Sequence, residues 1–340
     1  MSDEIFEEYS KEKEPAKYYK SYAWKTAIGL QQVDGLEPSE YLIKTAEQNI
    51  NGDISFDDAH ALISSYYKTS KTKADRTEEA DKVSVRIAQI ISENSFVFSP
   101  VELMTIHKRL FEGIYSHAGR LRDYNITKDE WVLDGDTVTY GNAFNLRETL
   151  EYDFGVEKNF NYNGLSTEQI ISHIARFISN LWQIHIFGEV NTRTTAVFLI
   201  KYLGKLGFNV TNDIFAENSW YFRNALVRAN YNNRAKGVFE TTKYLELFLR
   251  NLLLGEDNIL SNREMHINYK EVKSSTEDTV TREQIILEIL EKQPKITLQE
   301  IADKIGKSLR TVKMSIKALQ ESGKIERVGG KKEGSWKILD

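Results

Sequence analysis

Apolar residues recur at spacings of three and four along most of the chain, a periodicity that predicts a mainly helical protein. The stretch "LSTEQIISHIARFISNLWQI" shows it best, because Ile171, Ile174 and Ile178 fall on one face. A second apolar helix is expected to begin at Arg193, after a short connection at residues 185–192. The connection therefore leads into a helix N-terminus.

Strand-like alternation is confined to a few short runs. In "WVLDGDTVTY", residues 131–140, two β-favouring arms flank Asp134-Gly135, a dipeptide that suits a tight turn with positive φ. A lone hairpin is only marginally stable, so this predicted hairpin should lie against the helical body.

Polar stretches divide the chain into four predicted parts. Residues 1–75 form an N-terminal helical regulatory segment that ends in "KTSKTKADRTEEAD", interpreted as a linker or a long loop. Residues 76–255 are the core and residues 256–280 a second linker. Residues 281–340 contain three short helices, then "KIERVGGKKEGSWKIL", which alternates on both sides of Gly329-Gly330. Three helices and a two-stranded wing are typical of a winged helix-turn-helix.

Composition limits the function classes. Cysteine is absent, which excludes disulfides and thiolate metal sites. The N-terminus is polar and acidic, unlike a signal peptide, and we expect a cytoplasmic protein without a membrane partner. The net charge is −5, yet residues 281–340 hold thirteen basic and nine acidic side chains. The C-terminal part, unlike the acidic remainder, could therefore bind a polyanion.

The stretch "HIFGEVNTRTT", residues 185–195, brings a base, an acid, an amide and a guanidinium together before a helix N-terminus. Free N–H groups at such a terminus attract phosphate, and Arg193 adds donors. Glu189 can hold Mg²⁺, Asn191 can fix the loop or donate to a phosphate, and His185 is the natural general base. This set fits the transfer of a phosphate-containing group from a nucleotide to a hydroxyl.

The same stretch resembles the signature of the Fic (filamentation induced by cAMP) proteins of the Fic/Doc adenylyltransferase family, His-Pro-Phe-x-(Asp/Glu)-Gly-Asn-Gly-Arg-x-x-Arg. His185, Phe187, Glu189, Asn191 and Arg193 match it. Upstream, "LMTIHKRLFEGIYSHAGRLRDYNI" looks like the early core segment of the family, and the predicted hairpin is similar in position to its flap. The resemblance covers roughly residues 78–255.

The resemblance implies a Fic-type helical core with a β-hairpin flap, followed by the winged helix. It also implies transfer of AMP from ATP to a Ser, Thr or Tyr hydroxyl of a protein target or of the chain itself. His185 would deprotonate the hydroxyl, Glu189 would bind Mg²⁺, and Phe187 would anchor the loop. Asn191 and Arg193 would position the phosphates, beside Val190 and Thr192.

Four positions depart from the signature: Ile186, Val190, Thr192 and Ala196. Val190 replaces a glycine, and a β-branched residue resists positive φ. Thr192 replaces the other glycine, and its hydroxyl could cap the helix beginning at Arg193. Ala196 removes a cation expected at the γ-phosphate. Weakened activity and a different nucleotide are both open.

An N-terminal stretch from Leu30 resembles the inhibitory helix that accompanies many Fic proteins, with Asp34-Gly35 in place of its Glu-Gly. In the family the inhibitory Glu pairs with the second Arg, which Ala196 replaces here, so we expect a docked but leaky brake. The alternative is an ordinary loop between packed helices. Residues 242–246 are a weaker competing candidate.

The recognition helix of the winged unit is expected to bury Val312, Ile316 and Leu319. Its exposed side would contact DNA with Ser308, Arg310, Thr311, Lys313 and Lys317, helped by Lys331 and Lys332 at the wing tip. Similar modules also bind proteins, so DNA and protein both remain possible partners of this unit.

The expected function is Mg²⁺-dependent AMP transfer from ATP to a protein. The alternative is a DNA-binding transcriptional regulator with a catalytically degenerate Fic fold. The sequence leaves open the target, the nucleotide, the DNA site and whether the chain forms a homodimer.

Overall fold

A computed structural model describes residues 15–69, 75–268, 282–305, 309–328 and 334–339. The chain divides into two compact units, Met1–Tyr269 and Lys270–Asp340. The mainly helical prediction is confirmed in both units. Within the described residues, no helix is long and apolar enough to cross a membrane.

Eleven helices, numbered α1 to α11, are described in the first unit. In chain order they are Pro15–Gln31, Glu40–Asn51, Phe56–Thr69, Asp75–Ser92, Pro100–Phe111, Leu146–Lys158, Thr167–Ile184, Asn191–Lys205, Ile214–Ala229, Lys243–Leu254 and Asn262–Met265.

The N-terminal helices pack directly on the core of this unit. Helix α1 lies along α4 and α9, and Gly29 makes the second contact close, because a Cβ there would lie 2.3 Å from the carbonyl oxygen of Ala216. Trp24 of α1 is fully buried and donates to Asn49 Oδ1 at 3.0 Å. The N-terminal helices therefore share one apolar core with the body.

The interpretation of "KTSKTKADRTEEAD" as a linker is wrong for its second half, because α4 begins at Asp75. Residues 70–74 lie outside the described part of the chain. One acidic side chain of α4 clearly faces inward: Asp81 is fully buried and accepts from Ser39 Oγ and from the Tyr67 hydroxyl. Some polar residues at the start of α4 form hydrogen bonds inside the protein. The pattern of apolar positions does not distinguish such residues from polar residues that face solvent.

Helices α7 and α8 position the candidate site. Ser166 and Gln169 form a capping box at the start of α7, and Ile171, Ile174 and Ile178 are buried as predicted. Helix α7 ends at His185, whose φ of 51° stops the helix in the left-handed region. Helix α8 begins two residues earlier than predicted, at Asn191, and nearly all of it is buried.

The segment at residues 131–140 departs from the predicted hairpin. Asp134 and Gly135 do form the expected turn, with φ values of 57° and 82°. The arms are not paired strands, because Trp131–Leu133 is one turn of 3-10 helix in which both Val132 and Leu133 are fully buried. A strand with one face on the core would bury only one of these neighbours, whereas the helical turn lets both face inward.

The second predicted linker begins later than residue 256. Residues 262–265 form α11, Met265 is buried, and Asn262 accepts from Asn224 at 2.8 Å. The backbone N–H of Ile267 also donates to the carbonyl of Val132. Residues up to 268 therefore pack on the first unit, while residues 269–281 lie outside the described part of the chain.

The second unit has the elements predicted for a winged helix: α12 Arg282–Lys292, α13 Leu298–Ile305, α14 Leu309–Glu321, β1 Ile325–Val328 and β2 Ser335–Ile338. The strands are antiparallel, with Ile325 opposite Ile338. Their small core contains Val312, Ile316 and Leu319, as predicted. The turn predicted at Gly329-Gly330 falls outside the described residues.

Candidate active site

His185 occupies the C-terminal end of α7 and is only 3% exposed. Its Nδ1 lies 3.3 Å from the carbonyl oxygen of Trp182, which can only accept, so Nδ1 carries the proton and Nε2 has the free lone pair. Nε2 has no hydrogen-bond partner among the described residues. Burial, followed by the charge of Lys128, holds the pKa of His185 well below 6.5. The imidazole is therefore a neutral base at physiological pH.

The loop after His185 is closed by Asn191. Its Oδ1 accepts from the backbone N–H of Phe187 at 3.0 Å, and its Nδ2 donates to the carbonyl of the same residue at 2.8 Å. Phe187 is 1% exposed and stacks on His107, with the ring centroids 3.7 Å apart. Asn191 thus fixes the loop, and Phe187 lies where an anchor is expected.

Val190 stands in the left-handed region, with φ 55° and ψ 28°, immediately before α8. A β-branched residue in this region is strained by about 1–3 kcal/mol. A glycine, which the Fic signature has at this place, could adopt this conformation without strain. The loop therefore keeps a backbone path suited to glycine although a buried side chain now occupies it.

The capping role predicted for Thr192 is wrong. Helix α8 begins at Asn191 and has no side-chain cap, so Thr192 already lies within its first turn. Its Oγ1 accepts from Trp182 Nε1 at 2.9 Å. Thr192 ties the start of α8 to the end of α7, and Trp182 thereby contacts both ends of the loop.

Arg193 is fully buried and bound to acidic and amide groups. Its Nε lies 2.6 Å from Asp34 Oδ2, as an ion pair and not an aligned hydrogen bond. Its other nitrogens donate to Gln31 Oε1 at 2.8 Å and to Glu79 Oε1 at 2.5 Å. The guanidinium also lies 5.1 Å from the centre of the Phe111 ring.

Asp34 therefore docks on the motif, but not on the position considered from the sequence. The family's inhibitory pair involves the second Arg, where Ala196 is fully buried and cannot pair. Asp34 contacts Arg193 instead, while Gly35 ends the preceding turn with a φ of 66°. Glu79 and Gln31 were missed, because Glu79 fell in the presumed linker and nothing local marks Gln31 as buried.

Glu189 is the candidate metal ligand, and its side chain is 56% exposed. Its Oε2 lies 3.6 Å from Lys128 Nζ. Among the described residues, no cluster of three acidic or histidine side chains could hold a metal by itself. One accessible carboxylate fits Mg²⁺ when phosphates and water supply the remaining ligands.

Arg122 is a positioning residue that the sequence analysis missed. It is 5% exposed, its Nε donates to the carbonyl of His185 at 2.7 Å, and its NH1 donates to the carbonyl of Tyr124. Its NH2 contacts the carbonyl of Gly141, and its backbone N–H donates to Ile186. One side chain therefore holds the start of the loop at residues 185–190 against two other segments.

Tyr140 packs against the imidazole of His185, with the ring centroids 4.3 Å apart. Its hydroxyl donates to Glu130 Oε1, and Oε2 of the same carboxylate pairs with Arg223 at 2.6 Å. Burial and the neighbouring Glu130 raise the pKa of Tyr140 well above its ordinary value. This buried chain limits how far the imidazole can rotate.

The remaining predicted site residues are distributed as follows. Glu246 of the competing inhibitory stretch accepts from Thr242 and Ser172, away from the loop. On α14, Lys313 and Lys317 are exposed, as a DNA-facing surface requires. Ser308, Lys331 and Lys332 and the side chains of Arg310 and Thr311 lie outside the described part of the chain.

Two family models match parts of the chain. Residues 97–203 match the Fic/DOC family model, and residues 282–326 match a winged helix-turn-helix DNA-binding model. A crystal structure of a Fic family protein from Desulfovibrio desulfuricans G20 is similar with a TM-score of 0.47 and 11% identity, covering 99% of this chain and 91% of that one. No curated protein matches the chain. The chain thus contains a Fic/DOC-family domain at residues 97–203 and a winged helix-turn-helix domain at residues 282–326.

Proposed function

We propose that the protein transfers AMP from ATP to a hydroxyl group of a protein, in a reaction that uses His185 as the general base. The observation that carries the proposal is the imidazole itself. Its Nδ1 is held against the Trp182 carbonyl and its Nε2 has a free lone pair, directly before the loop that leads to the N-terminus of α8. A base beside an anion-attracting helix end suits nucleotidyl transfer.

In the proposed reaction, Nε2 of His185 takes the proton of a Ser, Thr or Tyr hydroxyl. The oxygen forms a bond to the α-phosphorus of ATP, and the bond from that phosphorus to the α,β-bridging oxygen breaks. Pyrophosphate leaves and AMP remains esterified to the protein. Such transfers depend chiefly on positioning and charge neutralisation.

The other residues of the loop bind and orient. Glu189 is the accessible carboxylate that would hold Mg²⁺, and the bound ion would neutralise phosphate charge. Asn191 and Arg122 fix the backbone of the loop. Arg193 lies in the first turn of α8, where a guanidinium can reach phosphate oxygens once its present partners release it.

The contact between Asp34 and Arg193 is proposed to be the brake. It holds the motif's remaining arginine with a carboxylate, so phosphate must displace Asp34 to reach it. The paired atoms Nε and Oδ2 are buried, but the Asp34 side chain as a whole is 35% exposed, so a displaced carboxylate can turn toward solvent. A slow basal reaction is expected from the wild-type chain.

Intact-mass measurement tests the proposed activity. The purified full chain is incubated with ATP and Mg²⁺, alone and with a bacterial lysate fraction as target source, and the mass of each protein is recorded. The proposal predicts a gain of one AMP that is lost in His185→Ala. A matched control is His173→Ala, since His173 pairs with Glu157 at 2.6 Å outside the loop. No transfer by wild type or by Asp34→Asn, with chain and lysate alike, would reject the activity.

Two observations favour a second function: the winged helix-turn-helix domain, and the contacts of Arg193 with protein groups in place of phosphate. The chain would be a DNA-binding regulator whose Fic-type core no longer catalyses. Lys313 and Lys317 lie on the exposed side of α14, where a recognition helix meets DNA. Fluorescence anisotropy with genomic DNA fragments at several salt concentrations measures this. If Lys313 contacts phosphate, Lys313→Gln should reduce the log–log salt slope by about one; an unchanged slope argues against the contact.

A further inference from the structure

Lys128 begins a loop whose backbone is closed on itself beside the candidate site. Its N–H donates to Thr137 Oγ1 at 3.2 Å, and the N–H of Glu130 donates to the carbonyl of Asp136 at 3.0 Å. The Lys128 side chain is 29% exposed, and its Nζ lies 3.6 Å from Glu189 Oε2. The ammonium group is thus held near the catalytic loop but in contact with solvent.

Three other cations near the loop are held by several contacts or by a fully buried partner. Arg193 contacts Asp34, Glu79 and Gln31. Arg122 donates to backbone carbonyl groups, so its position is fixed by the loop itself. Arg223 pairs at 2.6 Å with a Glu130 side chain that is fully buried. Breaking any of these contacts would leave a buried charge or carbonyl without its partner.

Lys128 differs from these three cations in the cost of moving it. Its carboxylate partner is more than half exposed, and the separation of 3.6 Å is longer than a hydrogen bond. Exposed pairs of this kind contribute little to stability. A lysine ammonium on a flexible stem can therefore turn from Glu189 to an incoming anion at small cost.

The motif also lacks one of the two arginines of the signature. Ala196, at the place of the second Arg of the signature, is fully buried and carries no charge. We propose that Lys128 binds the β- or γ-phosphate of the nucleotide and supplies the positive charge that position 196 no longer provides. This inference rests on the proposed nucleotide binding of the loop. It assigns Lys128 a direct contact with the substrate. Lys128 becomes available for this contact when Glu189 leaves it to bind the metal ion.

Nucleotide affinity tests the assignment on the full chain. Calorimetry with ATP, ADP and AMP, each with Mg²⁺, is compared for wild type, Lys128→Met and Lys128→Arg. The control is Lys108→Met, because Lys108 is 60% exposed and faces Glu112 at 3.9 Å, also as a loose ion pair. Thermal denaturation verifies that each variant is folded.

Lys128→Met should weaken ATP binding by roughly tenfold, the usual scale of one charge-assisted contact, and AMP binding by much less. Lys128→Arg should stay within about threefold of wild type, because it keeps the charge. Lys108→Met should change nothing. A folded Lys128→Met chain that binds ATP as tightly as wild type overturns the assignment.

Titrations in EDTA separate direct contact from an effect through Glu189. The Lys128→Met loss should persist without metal, whereas Glu189→Gln should weaken ATP binding only when Mg²⁺ is present. A loss that disappears in EDTA shows that Lys128 acts only through Glu189 and contradicts the proposal. Failure of the proposed function gives a different result. In that case the affinity for ATP still depends on Lys128, but no AMP is transferred. If neither wild type nor Asp34→Asn binds ATP, both proposals are rejected.

Discussion

Removing the charge of Asp34 should release Arg193 and strengthen nucleotide binding. Arg193 is 1% exposed, Asp34 is 35% exposed, and Nε and Oδ2 are 2.6 Å apart. Breaking a fully buried pair costs about 3–5 kcal/mol, and breaking an exposed one about 0–1 kcal/mol. With one partner partly in water, we expect a loss of about 1–2 kcal/mol in the free energy of unfolding. Glu79 remains on the guanidinium, so the variant should still fold.

ATP must break the same ion pair to reach Arg193, so the free energy of the pair opposes ATP binding. Removing the pair in Asp34→Asn should therefore tighten ATP binding by about fivefold to thirtyfold. Calorimetry gives the affinity, and intact-mass time courses give the rate of AMP transfer. The control is Asp213→Asn, because Asp213 is 38% exposed and pairs at 2.9 Å with Lys25, which is 7% exposed.

Asp213→Asn should lose similar stability without any change in ATP affinity. Asp34 does not oppose ATP binding if Asp34→Asn is folded, has lost the expected stability, and still binds ATP no more tightly than wild type. The same conclusion follows if the two variants change ATP affinity alike, since the effect would then follow stability and not the release of Arg193.

Three further predictions concern the loop. Val190→Gly should leave the melting temperature nearly unchanged, because relief of about 1–3 kcal/mol of backbone strain offsets about 2 kcal/mol of lost side-chain burial. The same variant should bind ATP more tightly. A weaker affinity for ATP would contradict this expectation. Phe187→Ala should lower the free energy of unfolding in urea by about 3–5 kcal/mol through loss of the stack on His107, and a loss below 1 kcal/mol would show that the ring is no anchor. The lowered pKa of His185 means that the unfolded chain binds protons that the folded chain refuses, so stability should fall as pH drops below 6.5, by up to about 1.4 kcal/mol per unit. Urea titrations between pH 5 and pH 8 should show a shallower fall in His185→Gln; equal slopes would contradict the assignment.

The apolar pattern predicted the helices well where one face is buried. In α7 and α14 the positions chosen as inward are buried, because spacing alone determines which side chains face the core. The pattern failed where burial is not periodic. Val132 and Leu133 are consecutive and both buried, so β-favouring residues form a helical turn instead of a strand.

Local motifs located the candidate site, but its electrostatic partners come from distant parts of the chain. His185, Phe187 and Asn191 lie on one loop, so their spacing is informative. Glu79 contacts Arg193 although more than a hundred residues separate them in the sequence. It lies in a stretch whose composition resembles a solvated linker. Only the packing of α4 beside α8 reveals that this acidic residue faces inward.

Asp34 shows that a partial motif can indicate where a segment docks without indicating its partner. Its place before Gly35 suggested an inhibitory segment, and in the structure it lies against Arg193 of the motif. The partner is the first arginine of the motif, because Ala196 offers none. Which arginine a carboxylate reaches depends on helix packing, and sequence spacing does not contain that information.

The proposed reaction requires that the loop beginning at His185 hold a metal-chelated triphosphate with its α-phosphorus beside Nε2. A crystal structure of the full Asp34→Asn chain with Mg²⁺ and α,β-methylene ATP tests this. We expect the triphosphate at the N-terminus of α8, with Glu189 on the metal ion and Lys128 on a phosphate oxygen. An analogue bound elsewhere, or a loop left empty at millimolar concentration with the Val190 side chain in the phosphate position, would contradict it.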